Sequence, residues 1–204
     1  MRWPGDVAKR LFDLLVAGLL LMLLSPLMLV LAVWIRLDSP GPVFFRQVRV
    51  GRHGVPFRIH KFRTMAVDAP QRGSALTMAR DPRITRAGAW LRPRRLDELP
   101  QLIDVLQGTM SLVGPRPEVP EYVAHYPPSL RDAALSVRPG ITSPGALEFL
   151  DEAAQLARAA DPQREYIDVI LPHKVRLAAD YAAQASLGGD LRVLGRTLRR
   201  LLAG

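Results

Sequence analysis

From Leu14 to Ile35 the chain is almost entirely apolar, with basic residues at both ends and the pair Ser25-Pro26 near its centre. At about 22 residues the run reaches the ~20 needed to cross a bilayer core as a helix. Pro26 removes a backbone donor and crowds the preceding turn, while Ser25 can hydrogen-bond a freed backbone group, so a bend is expected mid-run. Arg2, Lys9 and Arg10 precede the run, and Arg36, Arg46, Arg49 and Arg52 follow it. Lys and Arg favour the cytoplasmic side, and a straight span satisfies only one flank. A re-entrant hairpin that breaks at Ser25-Pro26 and returns satisfies both. A kinked bitopic helix is the competing geometry. A signal peptide is a third reading, opposed by Asp13, the length and the lack of a small-residue cleavage pattern.

Beyond the run and its flank, residues 37–204 remain, enough for one domain with a modest core. Lys and Arg number 28 against 19 Asp and Glu, a net charge of +9, which suits anionic lipid or phosphate-bearing substrates. Beside a membrane segment these take precedence, and no nucleic acid partner is expected. The chain has no cysteine, and His53, His60, His125 and His173 are too scattered to suggest a zinc cluster. Chemistry must therefore come from carboxylates, hydroxyls and basic groups, with or without a hard metal ion.

Val43–Val50 and Val55–Thr64 read as strands joined by the turn Gly51-Arg52-His53-Gly54. Alternation puts Phe57, Ile59, Lys61 and Arg63 on one face, so an apolar stripe ends in two cations or in a plain solvated rim. Ala66 to Asp81 reads as a loop, and Ala87–Leu91 as a short helix stopping before Pro93. In Leu96–Gly108, Leu99, Leu102, Ile103 and Leu106 repeat at helical spacing, Pro100 suits a first turn and Gly108 a C-terminal cap. Asp97 and Glu98 would then lie at a helix N-terminus, with Arg92, Arg94 and Arg95 just upstream. That end favours anions, which fits either ordinary acidic capping or a phosphate site.

In Gly114-Pro115-Arg116-Pro117-Glu118 two prolines fix the backbone around Arg116, and Arg138-Pro139-Gly140 repeats the device. A pre-positioned guanidinium forks onto phosphate at little entropic cost, although each motif alone also fits a rigid surface turn. Further on, Asp190 is expected to cap a helix with Leu191, Leu194, Leu198, Leu201 and Leu202 on one face and arginines around it. Such a helix suits an anionic lipid surface or the protein's own core. Tyr166, Ile167, Ile170 and Leu171 fit core packing.

Lys61-Phe62-Arg63-Thr64-Met65, Leu96-Asp97-Glu98-Leu99-Pro100-Gln101-Leu102, Met110-Ser111-Leu112-Val113-Gly114-Pro115-Arg116-Pro117 and Arg138-Pro139-Gly140-Ile141-Thr142 stand in the order and approximate spacing of the bacterial sugar transferases. These are monotopic phosphoglycosyl transferases acting on polyprenyl phosphate, and the resemblance runs over nearly the whole chain. It implies an α+β, mainly helical fold with a re-entrant helix broken at Ser25-Pro26, a small β-hairpin and amphipathic interfacial helices. Residues 1–36 would be the anchor and 37–204 a catalytic domain on the cytoplasmic face of the bacterial inner membrane.

The resemblance further implies Asp97 as nucleophile on the sugar-bearing phosphate of a nucleoside diphosphate sugar, most often a uridine one. Glu98 would assist the undecaprenyl phosphate acceptor. It also implies Mg2+ on the diphosphate with Asp97 as ligand, and phosphate contacts from Lys61, Arg63, Arg92, Arg116, Pro117 and Arg138. Contact with anionic lipids is expected, and a homodimer is left open. Two departures stand out. Arg95 occupies a position where the family commonly has a cap-former, and Ser143 to Leu150 replaces the usual Gly-Trp-Ala-Gln-Val-Asn-Gly-Arg, putting Leu150 where an arginine is usual. A polyprenyl-linked phosphohydrolase and a non-enzymatic basic binding module remain as rival readings.

Overall fold

The computed structural model describes residues 6–72, 81–143, 145 and 152–203. The apolar run folds as one helix, α1 (Asp6–Asp38), with Pro26 inside it. Pro26 cannot donate to the carbonyl of Met22 one turn back, and the Ser25 hydroxyl donates to that oxygen instead, at 2.9 Å. The acceptor orphaned by proline is thus satisfied within the helix itself.

One side of α1 is packed along its whole length. Before Pro26, Ala17 joins a core with Ile59, Leu102, Val105, Met110, Leu112, Val113 and Val193. After it, Met28, Leu31 and Ile35 pack with Phe62, Ala87 and Leu91. The opposite side exposes Leu15, Leu19, Met22, Leu29, Val30 and Val33. Polar contacts fasten both ends. Arg10 donates to the carbonyls of Val105 and Leu106 at 2.5 and 3.0 Å, and Asp38 accepts from the Ala87 backbone at 2.9 Å. Asp13, only 1% exposed, accepts from Lys9 and from the Leu112 backbone.

The expected hairpin is present as β1 (Phe44–Val50) antiparallel to β2 (Pro56–Phe62). Phe45 pairs with Lys61, Gln47 with Ile59 and Arg49 with Phe57, so the face carrying Lys61 also carries Arg49. The short helix forms as α2 (Arg86–Leu91), capped by the Thr85 hydroxyl accepting from the Gly88 backbone. The single helix expected over Leu96–Gly108 divides instead. Leu96–Glu98 is a 3-10 turn, and α3 (Gln101–Gln107) begins after Pro100, which has no N–H to continue the ladder. Gly108 ends α3 in the left-handed region, at φ 89°, as its position suggests.

The segments bordering the two arginine–proline motifs form a parallel pair, β3 (Ser111–Val113) with β4 (Gly140–Thr142), in addition to the hairpin expected from sequence. Gly114 and Gly140 make this crossing possible, since a Cβ on Gly140 would stand 2.1 Å from the Gly114 nitrogen. The remainder is helical: α4 (Pro120–Val123), α5 (Pro128–Ala134), α6 (Glu152–Arg158), α7 (Pro162–Glu165), a π turn at Tyr166–Ile170, α8 (Leu171–Gln184) and α9 (Leu187–Ala203). Tyr166, Ile170 and Leu171 are core residues beside Tyr122, Ala134 and Val175.

Asp190 does not cap the last helix. It lies inside α9, fully buried, bonded by Lys9 at 2.9 Å and by the Tyr181 hydroxyl at 2.9 Å, while Ser186 accepts from the Gly189 backbone at the helix start. The expected leucine face also divides: Val193 and Leu194 pack inward, whereas Leu191 and Leu198 are exposed beside the arginines. The side chains of Leu201 and Leu202, the flanking Arg2, most of Ser143 to Leu150 with Leu150 itself, and residues 73–80 of the expected loop lie outside the described residues.

The glycine crossing gives a direct test. Gly140→Ala sets a methyl group against backbone that has no rotamer to relieve it, and should destabilise the protein by about 3 kcal/mol or more, read as a fall in melting temperature.

Candidate functional site

The 3-10 turn Leu96–Glu98 is where the chain concentrates charge. Its cap position is held by Arg95, in the left-handed region at φ 53° with no side-chain cap. A non-glycine residue there carries strain of about 1–3 kcal/mol and marks a turn that its surroundings enforce. The turn presents Asp97 and Glu98 to a cavity of about 880 Å³, lined also by Lys61, Arg92, Arg95 and Arg116.

Glu98, 7% exposed, is clamped by two cations. Lys61 Nζ donates to its Oε1 at 2.9 Å, and Arg116 reaches Oε1 at 2.6 Å and Oε2 at 3.3 Å. Burial alone would raise its pKa, but Arg116 and Lys61 overcome that and hold the carboxyl well below its ordinary range. Arg116 in return is held above the usual arginine value by Glu98. Burial pulls Lys61 down from the lysine range, opposed by Glu98. Asp97 shifts the other way: burial and the neighbouring Glu98 raise it, against Lys61, Arg92 and Arg116. Adjacent carboxylates therefore have opposite character, an anion locked in ion pairs and a more basic one facing the cavity.

Lys61 is held in register by its neighbour. His60 Nδ1 lies 2.6 Å from Asp104 Oδ1, and the His60 backbone N–H donates to Oδ2 at 2.8 Å. Asp104 is 1% exposed, so this link ties β2 to α3 on either side of the carboxylate pair. Sequence reading passed over it, although an acid inside Leu102-Ile103-Asp104-Val105-Leu106 is a visible anomaly.

The other expected phosphate residues separate. Arg92 lines the cavity with one long bond, to Thr64 Oγ1 at 3.4 Å. Arg63 borders the cavity too, yet its guanidinium donates to the carbonyls of Ile35, Pro40 and Ser39 and so caps the end of α1. Arg138 is not brought to the cavity lining. It donates to the Gly108 carbonyl at 3.0 Å, at the opposite end of α3 from the carboxylates. Pro117 is buried and accepts from Arg49 at 3.0 Å. Arg49, counted from sequence only as a membrane flank, lines the cavity together with Glu118, Tyr126, Tyr166 and Lys174. Tyr166 donates to Glu118 Oε1 at 2.7 Å across 48 residues of chain, a pairing that no local pattern announces.

Among the described residues no group of three or more His, Asp or Glu could hold a metal. With Glu98 committed to cations, Asp97 is the one carboxylate of the pair left to contribute an oxygen. That donor set fits a hard cation carried mainly by substrate phosphates and water.

A bilayer-length apolar helix fastened to a cavity with opposed carboxylates and phosphate-competent cations is the constellation of a membrane-associated phosphotransfer enzyme. The family profile described as "Bacterial sugar transferase" matches residues 5–204. The chain is 39% identical over 211 residues to the UDP-glucose:undecaprenyl-phosphate glucose-1-phosphate transferase of Caulobacter vibrioides, covering 97% of this chain and 70% of that protein. It is 38% identical over 198 residues to the UDP-N-acetylgalactosamine-undecaprenyl-phosphate N-acetylgalactosaminephosphotransferase of Aeromonas hydrophila, covering 96% and 44% respectively. With the Xanthomonas campestris pv. campestris UDP-glucose:undecaprenyl-phosphate glucose-1-phosphate transferase it shares 39% over 201 residues, covering 96% and 39%. The chain belongs to the bacterial sugar transferase family and spans less than half the length of the latter two relatives.

The opposed carboxylates predict a pH effect. Glu98→Gln removes the repulsion that raises Asp97 and frees Lys61 and Arg116 to face it, so both changes favour the Asp97 anion. The acid limb of donor turnover should move to lower pH in this variant, read from rate against pH.

Proposed function

We propose that this protein transfers a phosphosugar from a nucleoside diphosphate sugar, probed first with uridine donors, to undecaprenyl phosphate. What carries the reading is Asp97, a half-buried, cavity-facing carboxylate of raised basicity within a cluster of cations, in a chain of this family. An Asp97 oxygen attacks the phosphorus that bears the sugar, and the bond to the bridging oxygen breaks. Nucleoside monophosphate leaves, and an aspartyl phosphosugar remains. An oxygen of the lipid phosphate then attacks the same phosphorus, the bond to Asp97 breaks, and the carboxylate is restored. Lys61, Arg92 and Arg116 offset the negative charge that both displacements gather. Mg2+ on the donor diphosphate, with Asp97 as protein ligand, would supply further neutralisation.

Glu98 has two linked tasks in this scheme. In the free protein it aligns Lys61 and Arg116. When a phosphate draws those cations away, the burial they had outweighed raises the proton affinity of Glu98. It can then accept the proton of an acceptor phosphate whose second pKa is about 6.

The membrane arrangement proposed is a re-entrant α1 with the catalytic domain on the cytoplasmic face of the inner membrane. Support comes from the core contacts of α1 on both sides of Pro26, which would draw a straight spanning helix and its domain into the bilayer together. Leu191 and Leu198, exposed beside Arg192, Arg196 and Arg199 on α9, suit the headgroup region of anionic lipid.

Incubation with a panel of nucleotide sugars, lipid phosphate and Mg2+ should yield nucleoside monophosphate and a lipid diphosphosugar. Free sugar phosphate as product would instead mean hydrolysis. Asp97→Asn should abolish turnover and any phosphosugar adduct detected by mass spectrometry, whereas a basic binding module would be indifferent to it. In Pro26→Ala a straightened α1 should carry one terminus across the membrane. Cysteine labelling that still finds both termini on the cytoplasmic side would remove proline from the control of topology.

A further inference from the structure

The cavity extends beyond the phosphate-competent cations to a second polar group that the chemistry above does not use. Glu118 follows Arg116 after a single proline, and its side chain is 9% exposed. Oε1 accepts from Tyr166 at 2.7 Å, and Lys174 Nζ stands 3.8 Å from it. Oε2 makes no hydrogen bond among the described residues, and Arg49 Nη1 faces it as a long ion pair at 3.9 Å. Tyr126 lines the same cavity, and its hydroxyl likewise has no hydrogen-bond partner among the described residues. Burial and the nearby Glu118 raise its pKa, so that hydroxyl stays protonated and available as a donor. The π turn that delivers Tyr166 to Glu118 is a rare local geometry, one that tends to occur where function requires it.

Oε2 opens onto the cavity with lone pairs free to accept from an incoming donor. An anionic carboxylate disfavours a phosphate in contact with it, whereas O–H groups of a neutral partner can donate to it directly. Because Pro117 fixes the short path from Arg116 to Glu118, a donor with phosphate on Arg116 would direct an adjoining hydroxyl-bearing part towards Glu118. We infer that Glu118 and Tyr126 form a hydroxyl-reading subsite for the neutral part of the nucleotide sugar. Glu118 accepts from its hydroxyl groups, Tyr126 donates to an oxygen, and Tyr166 holds Glu118 in orientation. The inference rests on the donor class proposed above. Hexose and ribose share the chemistry, and the experiment separates them.

The full chain, solubilised with lipid and carrying Asp97→Asn to prevent turnover, is titrated with UMP, UDP-glucose and UDP-N-acetylgalactosamine. Glu118→Gln should weaken nucleotide-sugar binding about 10- to 100-fold and Tyr126→Phe about 2- to 10-fold. With Asp97 intact the loss should fall on KM rather than kcat. Weakening of the nucleotide sugars but not of UMP assigns the subsite to the hexose, and equal weakening of UMP assigns it to the ribose. Unchanged affinity in both variants, with melting temperatures preserved, overturns the inference. If Glu118→Gln fails to fold, Tyr126→Phe decides, and its full affinity is then the overturning result. Failure of the unsubstituted enzyme to release nucleoside monophosphate from any donor would defeat the parent reading instead.

Discussion

The ion pairs of Glu98 with Lys61 and Arg116 organise this protein. They join three segments distant in sequence, namely β2, the 3-10 turn and the proline-locked stretch after β3. A buried carboxylate with one partner removed would be expensive, and so would either cation alone. The cluster is therefore held as a unit. It also divides labour between neighbouring acids: cations consumed by Glu98 leave Asp97 as the basic, cavity-facing member of the pair.

Around that unit the scaffold uses charge as much as apolar contact. Lys9 bridges Asp13 and Asp190, joining α1 to α9, while Arg10 and Arg138 bind carbonyls at the C-terminal end of α3. Cations at that end complement the helix dipole. The basic excess is thus partly structural, since several arginines that could have met lipid or substrate are spent on the protein's own backbone.

This explains which parts of the chain could be read in advance. Alternation and turn residues located β1 and β2, Pro93 marked the end of α2, and Gly108 closed α3, because each depends on residues within a turn or two. Asp97, Glu98, Lys61, Arg92 and Arg116 were found from motifs, and they do meet at one cavity. Arg138 and Arg63 instead bind backbone carbonyls, and nothing in a sequence marks whether such an arginine will meet a phosphate or a helix end. The pairing of β3 with β4, the His60–Asp104 link and the Tyr166–Glu118 bond were invisible for a related reason. Each is a long-range choice of partner that only the packed chain makes.

Arg63 has a mechanical consequence. Its guanidinium grips the Ile35 carbonyl in the last turn of α1 and those of Ser39 and Pro40 just beyond it, and two residues earlier, on β2, Lys61 reaches into the cavity. A stiff extended backbone connects the two. The end of α1 and the cavity are therefore coupled through two residues of backbone, so that any shift of the helix end is passed directly to the Lys61 ammonium and to the carboxylate it holds.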